Sequence, residues 1–111
     1  MSPKGPRIGL VAIGRNEGER LKRCLRSVPA GCPVVYVDSG STDGSVEFAE
    51  RLGMTVERLS TVGGFTAARA RNAGWRRLVA ANPGLDYVQF VDGDCELAPG
   101  WMAEAEQALD A

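Results

Sequence analysis

Short apolar runs alternate with amphipathic segments along the whole chain. Four runs are strand-sized and rich in β-branched and aromatic residues, and they cover residues 8–13, 33–38, 54–59 and 86–92. Apolar residues recur at helical spacing in the segments that follow each run, which predicts helices within residues 14–28, 45–53, 66–81 and 98–111. The order is therefore βαβαβαβα.

Strands that are apolar throughout and are joined by helical crossovers predict a parallel sheet with helices on both faces. We therefore expect an α/β fold, a Rossmann-like three-layer α/β/α domain with a mainly parallel four-stranded sheet. The length of 111 residues fits a single domain over residues 1–111.

Three local patterns sharpen this picture. Asn16 with Glu19 three residues later resembles a capping box at the start of the first helix. Ala68, Trp75 and Val79 fall on one apolar stripe of the third helix, and Asn72 interrupts that stripe, so we expect a buried asparagine that needs hydrogen-bond partners. Pro99 lies where the last helix should begin.

Composition excludes several classes of function. The net charge is −1, which argues against a nucleic-acid partner, since such binders carry a basic excess. Three widely spaced cysteines and no histidine make a zinc site, a disulfide framework and histidine-dependent catalysis poor hypotheses. The start, MSPKGPR, lacks the apolar stretch of a signal peptide, and no run approaches the ~20 residues of a membrane span. We expect a cytoplasmic protein without a membrane segment in this chain.

Polar residues gather where the predicted strands end, which is where parallel sheets bind ligands. They are Arg15, Glu17, Asp38, Asp43, Arg69, Arg71, Asp92 and Asp94. Each has an ordinary explanation: Asp38 and Asp43 could cap the second helix, Glu17 could complement a helix dipole, and the arginines could form a solvated face. An Asp-x-Asp triplet alone is a weak signal.

The combination indicates more. Asp92 and Asp94 could hold a hard divalent cation such as Mg²⁺, and Gly93 between them would let a diphosphate approach the backbone. Asp38 could accept hydrogen bonds from a nucleobase or a ribose, and arginines near a helix N-terminus suit phosphate. The set predicts a nucleotide diphosphate bound through a bridging metal.

Four segments in order resemble family 2 glycosyltransferases: VAIGRNEGERLKRCLRSV, VVYVDSGSTDGS, AARARNAG and YVQFVDGDCELAPGW. The resemblance covers residues 8 to about 102 and points to the N-terminal, nucleotide-binding half of the GT-A fold. It implies transfer of a sugar, usually with inversion, from a nucleotide-diphosphate donor to an acceptor hydroxyl on a saccharide, a lipid or another compound.

The resemblance also implies site residues. The nucleotide-sugar site would comprise Ile13, Arg15, Glu17, Asp38, Ser39, Arg71, Asn72, Asp92 and Gly93. Asp94 would coordinate Mg²⁺ or Mn²⁺, and Asp92 would lie near the ribose or reach the metal indirectly. The sequence departs from the family at Ile13 and Arg15, where Pro and Tyr are usual, and at Ser39, where a second Asp is usual.

Family members continue past the Asp-x-Asp strand into an acceptor-binding half that supplies the catalytic base. We therefore expect the base to lie beyond Ala111, and this chain to be a truncated donor-binding domain. For the full-length protein, we also consider a location peripheral to the inner face of the membrane.

Three alternatives remain. A sugar nucleotidyltransferase would carry a G-x-G-T-R loop after the first strand, which GRNEGE does not supply. A receiver domain would need a lysine after a later strand, and the chain has none beyond Lys22. A non-catalytic fragment that binds nucleotide without turnover is the third.

Overall fold

The computed structural model describes residues 7–60, 64 and 66–111, so the start of the chain and most of the predicted loop at residues 60–65 lie outside the described residues. Strands and helices alternate as expected. The strands are β1 (Ile8–Gly14), β2 (Val34–Asp38), β3 (Thr55–Arg58) and β4 (Tyr87–Asp92), and the helices are α1 (Glu19–Arg26), α2 (Ser45–Arg51), α3 (Ala67–Ala81) and α4 (Trp101–Asp110).

The four strands form one sheet in the order β3-β2-β1-β4, and all neighbouring pairs are parallel. The chain moves outward from β1 through β2 to β3 and then returns across the sheet to place β4 on the other side of β1. The α/β class and the parallel four-stranded sheet are thereby confirmed.

Burial differs between the central and edge strands. All five residues of β2 are buried, as are Leu10, Val11 and Ala12 of β1. The edge strands β3 and β4 are only half-buried, and Phe90 of β4 is exposed. The expectation of strands covered on both faces therefore holds at the centre of the sheet and weakens towards its edges.

Alternate residues of the sheet face two separate cores, as the pleat requires. On one face α1, α2 and α4 pack against Leu10, Ala12 and Tyr36. The other core joins Val11, Val35 and Val37 to Ala70 and Leu78 of α3. The three-layer arrangement is confirmed, with α3 on one face and the other three helices on the opposite one.

The buried stripe of α3 is not the predicted one. Its buried residues are Ala70, Gly74 and Leu78, whereas Ala68 is exposed and Trp75 is 45% exposed. The predicted stripe of Ala68, Trp75 and Val79 was therefore wrong. Asn72, expected to be buried on that stripe, is exposed. The physical reason is a close helix–sheet approach that only small residues allow, and these carry little hydropathic signal.

Two helix starts also differ from expectation. Gly18 precedes α1 and no side chain caps that helix, so the predicted capping box of Asn16 and Glu19 was wrong. Asn16 has a left-handed backbone (φ 51°), and its Oδ1 accepts from the N–H of Thr42 instead of capping the helix. Helix α4 begins at Trp101, after Gly100 (φ 78°), so Pro99 lies in the preceding turn.

Arg7 fastens α4 to the starts of β1 and β4. Its guanidinium forms ion pairs with Asp86 at 2.8 Å, Glu106 at 3.0 Å and Asp110 at 2.8 Å.

Over residues 7–60, 64 and 66–111, no helix combines the length and apolar character needed to cross a membrane.

Candidate functional site

A hollow of about 450 Å³ opens at the carboxyl ends of β1 and β4. This is where the strand order reverses, the position at which open parallel sheets bind ligands. Its lining consists of Ile13, Gly14, Arg15, Glu17, Ser39, Thr66, Ala67, Ala70, Asp92, Gly93 and Asp94. We call it the carboxyl-end pocket. Most of the sequence-predicted site residues line it, whereas Asp38, Arg71 and Asn72 lie outside its lining.

Arg71 nevertheless reaches the pocket through Asp92. Its Nη2 lies 3.7 Å from Asp92 Oδ1, an ion pair between α3 and the last residue of β4. Both side chains are substantially exposed, so water screens this pair. The structure thus brings together an arginine and an aspartate, the two residue types expected near the diphosphate. The arginine comes from α3 and the aspartate from β4.

Asp94 has different surroundings. Its Oδ1 accepts a weak hydrogen bond from the Cys95 thiol, with 3.4 Å between sulfur and oxygen. Within residues 7–60, 64 and 66–111, no cation forms an ion pair with Asp94. The two acids of the triplet are therefore not equivalent: Asp92 is paired with a guanidinium, and Asp94 is the more available carboxylate.

The donor set suits a shared rather than an enclosed metal. Among the described residues, no cluster of three or more Asp, Glu, Cys or His side chains could hold an ion. Mg²⁺ commonly takes one or two carboxylates and completes its shell with water and substrate phosphate oxygens. Asp94 with Asp92 nearby fits that pattern, and fits a fully protein-made cage poorly.

Close packing around residue 93 favours glycine at this position. Gly93 is buried, and its N–H donates to the Ile13 carbonyl at 2.7 Å. A Cβ at this position would lie 3.1 Å from that same oxygen and 3.2 Å from Leu21 Cδ1. The glycine between the two acids therefore lets β4 turn tightly against β1 and α1. Its expected part in the approach of a diphosphate stays a prediction.

Asp38 is buried outside the pocket lining, next in the chain to Ser39, which lines the pocket. It is 3% exposed, and Tyr36 Oη donates to its Oδ1 at 2.7 Å. Its Oδ2 accepts from the N–H groups of Gly40 and Ser41, at 3.1 and 2.8 Å. Burial and then the bond to Asp38 raise the pKa of Tyr36, so the phenol stays a donor. Asp38 thus fixes the segment after β2, and Ser39 of that segment forms part of the wall.

Asp43 binds the first residue of α2, although the N-cap of that helix is Gly44 and not Asp43 as considered from the sequence. Its Oδ1 accepts from the hydroxyl and the N–H of Ser45, at 2.6 and 3.0 Å, at the start of α2. These bonds, the hydroxyl first, hold the pKa of Asp43 below its ordinary value. Its Oδ2 also accepts from the N–H of Gly18, at 3.0 Å. Asp43 therefore joins the loop after β2 to the loop after β1.

Asn16 makes two further hydrogen bonds between the same two loops. Its N–H donates to Ser41 Oγ at 2.8 Å, and its Oδ1 accepts from the N–H of Thr42 at 2.7 Å. Ser39 N–H also donates to the carbonyl of Gly14, at 3.0 Å. Sequence reasoning missed this role of Asn16, because the Asn16 and Glu19 spacing favoured a local cap.

Glu17 and Arg69 complete the surroundings. The Cγ of Glu17 lies over Gly14 and Gly93, and its Oε2 is 3.4 Å from Arg20 Nε. Arg69 Nη1 donates to the carbonyls of Ser60 and Gly64, which ties the segment before α3 to that helix. Arg69 therefore stabilises the backbone beside the pocket through these hydrogen bonds.

The fold and the site together define an α/β domain with an acidic pocket at the reversal of its strand order. A match to the family described as Glycosyl transferase family 2 spans residues 11–111, and the chain belongs to that family. The resemblance expected from its four sequence segments is confirmed.

A solved structure supports the fold. The crystal structure of S. aureus TarS is similar with a TM-score of 0.75 and 22% identity, over 95% of this chain and 20% of that one. The chain thus spans about a fifth of the length of the TarS chain.

Proposed function

We propose that this chain is the donor-binding part of a metal-assisted, inverting glycosyltransferase that moves a sugar from a nucleotide diphosphate to an acceptor hydroxyl. Membership of glycosyl transferase family 2 supports the general activity. The observation that carries the proposal is the pairing of Arg71, which lies outside the pocket lining, with Asp92 of the carboxyl-end pocket, beside an available Asp94.

The two acids have different roles in binding the donor. Asp94 would hold a divalent cation, Mg²⁺ or Mn²⁺, which when bound would supply positive charge to the diphosphate. Arg71 turns from Asp92 towards the phosphates, because a guanidinium matches phosphate oxygens with several donors. Asp92 then faces the ribose side of the donor.

The nucleoside occupies the side of the pocket formed by the loops after β1 and β2. Ile13, Arg15, Glu17 and Ser39 form its walls, and Gly93 lies at its floor. Asp38 supports recognition of the base in two ways. It holds the loop after β2, and its carboxylate can accept a further hydrogen bond from the base. Asn72, exposed on α3 one residue after Arg71, faces the donor from outside the pocket lining.

The acceptor half belongs to residues outside these 111. Family members place their catalytic base there, and the chain spans only about a fifth of the TarS chain. We place the base and the saccharide, lipid or other hydroxyl acceptor in that part of the protein, and the whole enzyme in the cytoplasm.

Titration calorimetry with UDP, GDP and dTDP, each with and without Mn²⁺, tests the donor site. We expect at least one nucleotide to bind in a Mn²⁺-dependent manner, and Asp94→Ala to weaken that binding more than about tenfold. Asp92→Asn should weaken it less, since Asp92 is not the direct metal ligand.

Asp86→Ala is the matched control, because Asp86 is an exposed aspartate next to the opposite end of β4. It should bind as the parent chain does. Absent or metal-independent binding in a folded sample, or equal losses in Asp94→Ala and Asp86→Ala, would contradict the proposal.

A further inference from the structure

Asn16 stands out because its backbone and side chain are both committed to another loop. It is the one residue other than glycine with a positive φ among residues 7–60, 64 and 66–111. Asparagine tolerates this left-handed region better than most residues, but still at a cost in free energy. Structures keep such a conformation where the surroundings enforce it.

The surroundings of Asn16 are a reciprocal pair of hydrogen bonds. Its N–H donates to Ser41 Oγ at 2.8 Å, and Thr42 N–H donates back to its Oδ1 at 2.7 Å. With this left-handed φ, the backbone N–H and the side-chain Oδ1 of Asn16 both contact the same neighbouring loop.

The linked loops carry the nucleoside side of the carboxyl-end pocket. Arg15 and Glu17, the neighbours of Asn16 in the chain, both line the pocket, and so does Ser39 on the other loop. Asn16 itself does not line it. Asp38 holds the second loop through the N–H groups of Gly40 and Ser41, and Asn16 adds bonds to the Ser41 hydroxyl and to Thr42 N–H.

We infer that Asn16 is a positioning residue for nucleoside recognition: it cross-links the two loops and so presents Arg15, Glu17 and Ser39 in one fixed arrangement. This inference rests on the proposed function, because it concerns the same pocket. It adds that recognition of the nucleoside, as distinct from the diphosphate, depends on a residue that does not touch the ligand.

Three substitutions separate the side-chain acceptor from the backbone conformation. Asn16→Asp keeps an acceptor for Thr42 N–H and tolerates a positive φ. Asn16→Gly keeps the φ and loses the acceptor, and Asn16→Ala loses both. Affinity for the nucleotide should fall in the order Asp, Gly, Ala, with Asn16→Asp close to the parent and Asn16→Ala about five- to tenfold weaker.

Inorganic pyrophosphate with Mn²⁺ provides a readout that a general loss of structure would change. It lacks a nucleoside, so its calorimetric affinity should be the same for the parent chain and all three variants. Asn82→Ala is the matched control, since Asn82 ends α3 and its amide donates to the Leu78 carbonyl, away from this pocket. It should bind both ligands as the parent does.

Amide hydrogen exchange at Thr42 reports on the hydrogen bond from Thr42 N–H to Asn16 in the absence of any ligand. We expect faster exchange in Asn16→Gly and Asn16→Ala, and near-parental exchange in Asn16→Asp. Unchanged exchange, nucleotide affinity unchanged in Asn16→Ala, or equal losses for nucleotide and pyrophosphate would overturn the inference. If the parent chain binds no nucleotide, the proposed function itself is overturned. That result is distinguishable from failure of the inference about Asn16, because it is seen before any substitution is made.

Discussion

Gly74 shows how a single residue sets the distance between a helix and the sheet. A Cβ placed on it would lie 2.4 Å from Val11 Cγ1 and 2.7 Å from Val37 Cγ2, closer than real atoms approach. Val11 and Val37 belong to the two central strands and have stiff β-branched side chains. Helix α3 therefore rests directly on the centre of the sheet, and this seats Thr66, Ala67 and Ala70 against the carboxyl-end pocket.

Gly74→Ala should destabilise the fold even though alanine is the better helix former. Overpacking costs about 1–3 kcal/mol, and the gain in helix propensity is at most about 1 kcal/mol. We expect the free energy of unfolding in urea to fall by about 1–2 kcal/mol. Gly84→Ala is the control, because a Cβ there meets no atom within 4 Å. A Gly74→Ala chain as stable as the parent would contradict the close approach.

The three cysteines should react with iodoacetamide at different rates. Burial raises the pKa of Cys24 to about 12 and that of Cys32 to about 11, so few thiolates form at either. Cys95 is exposed, although its hydrogen bond to Asp94 raises its pKa as well. Mass spectrometry of the native chain at pH 8 should find Cys95 alkylated first, and the difference should vanish in 6 M guanidinium as a reagent control. Early labelling of Cys24 would contradict its burial.

The residues that the sequence misassigned share one physical cause. Trp75 looked like a core residue because it is large and apolar, yet contact with the sheet is made by Ala70 and Gly74, whose fit depends on backbone distance. Asn16 looked like a helix cap, yet its partners are 25 and 26 positions further along the chain. In both cases the deciding contact is tertiary and leaves no periodic pattern.

At the scale of elements, α4 is held largely by polar contacts. Met102 is its buried residue, and its far end meets Arg7 and Tyr87 through Asp110. The bonds from Arg7 and then Tyr87 hold the pKa of Asp110 at about 2, below its ordinary 3.8. The attachment of this helix should therefore depend on pH.

Because the folded-state pKa of Asp110 lies below its ordinary value, its stabilising contribution is complete above about pH 4. It is lost as the pH falls from about 4 towards 2. The stability difference between the parent and Asp110→Asn, measured by urea denaturation, should be present at pH 6 and shrink towards zero by pH 2. Glu50→Gln, an exposed change on α2, should show no such trend. A pH-independent difference would contradict the role of Asp110.

Elements themselves were the most predictable level. Apolar runs located all four strands within about one residue, since buried parallel strands need continuous apolar sequence. Helix starts were less predictable, because the residues before α1 and α4 are Gly18 and Gly100, which have no side chain to cap a helix. Most of the residues that the sequence proposed for the site line the pocket, but the sequence could not show that Asp38 is buried.

At the scale of the whole molecule, the sheet has unlike ends. The carboxyl-end pocket collects Asp92, Asp94 and Arg15 from two strand ends, whereas the hollow at the amino ends, about 600 Å³, is lined mainly by apolar and backbone groups with Arg77 and Asn82. Arg77 there is engaged by Glu57 at 2.8 Å. The charged groups suited to a diphosphate are thus concentrated at one end.

The isolated chain should bind a donor and yet transfer no sugar, since we place the catalytic base outside it. Incubation with UDP-, GDP- and dTDP-linked sugars, Mn²⁺ and simple saccharide acceptors should yield no glycosylated product by mass spectrometry. Donor binding by calorimetry in the same sample is the positive control. Product formation that Asp94→Ala abolishes would show that these 111 residues hold a base after all.

The position of β4 beside β1 has a consequence for how the molecule acquires its pocket. Contacts between β1 and β2 close over a short stretch of chain, whereas Arg7 and Asp86, at the starts of β1 and β4, are 79 positions apart. Closing so long a loop costs more entropy, and distant pairings slow folding. The ion pair of Arg71 with Asp92 and the bond from Gly93 to Ile13 both need that last strand. A nascent chain synthesised only as far as β3 would hold three of the four strands and would lack Asp92 and Asp94, so the ability to bind would come with the final strand.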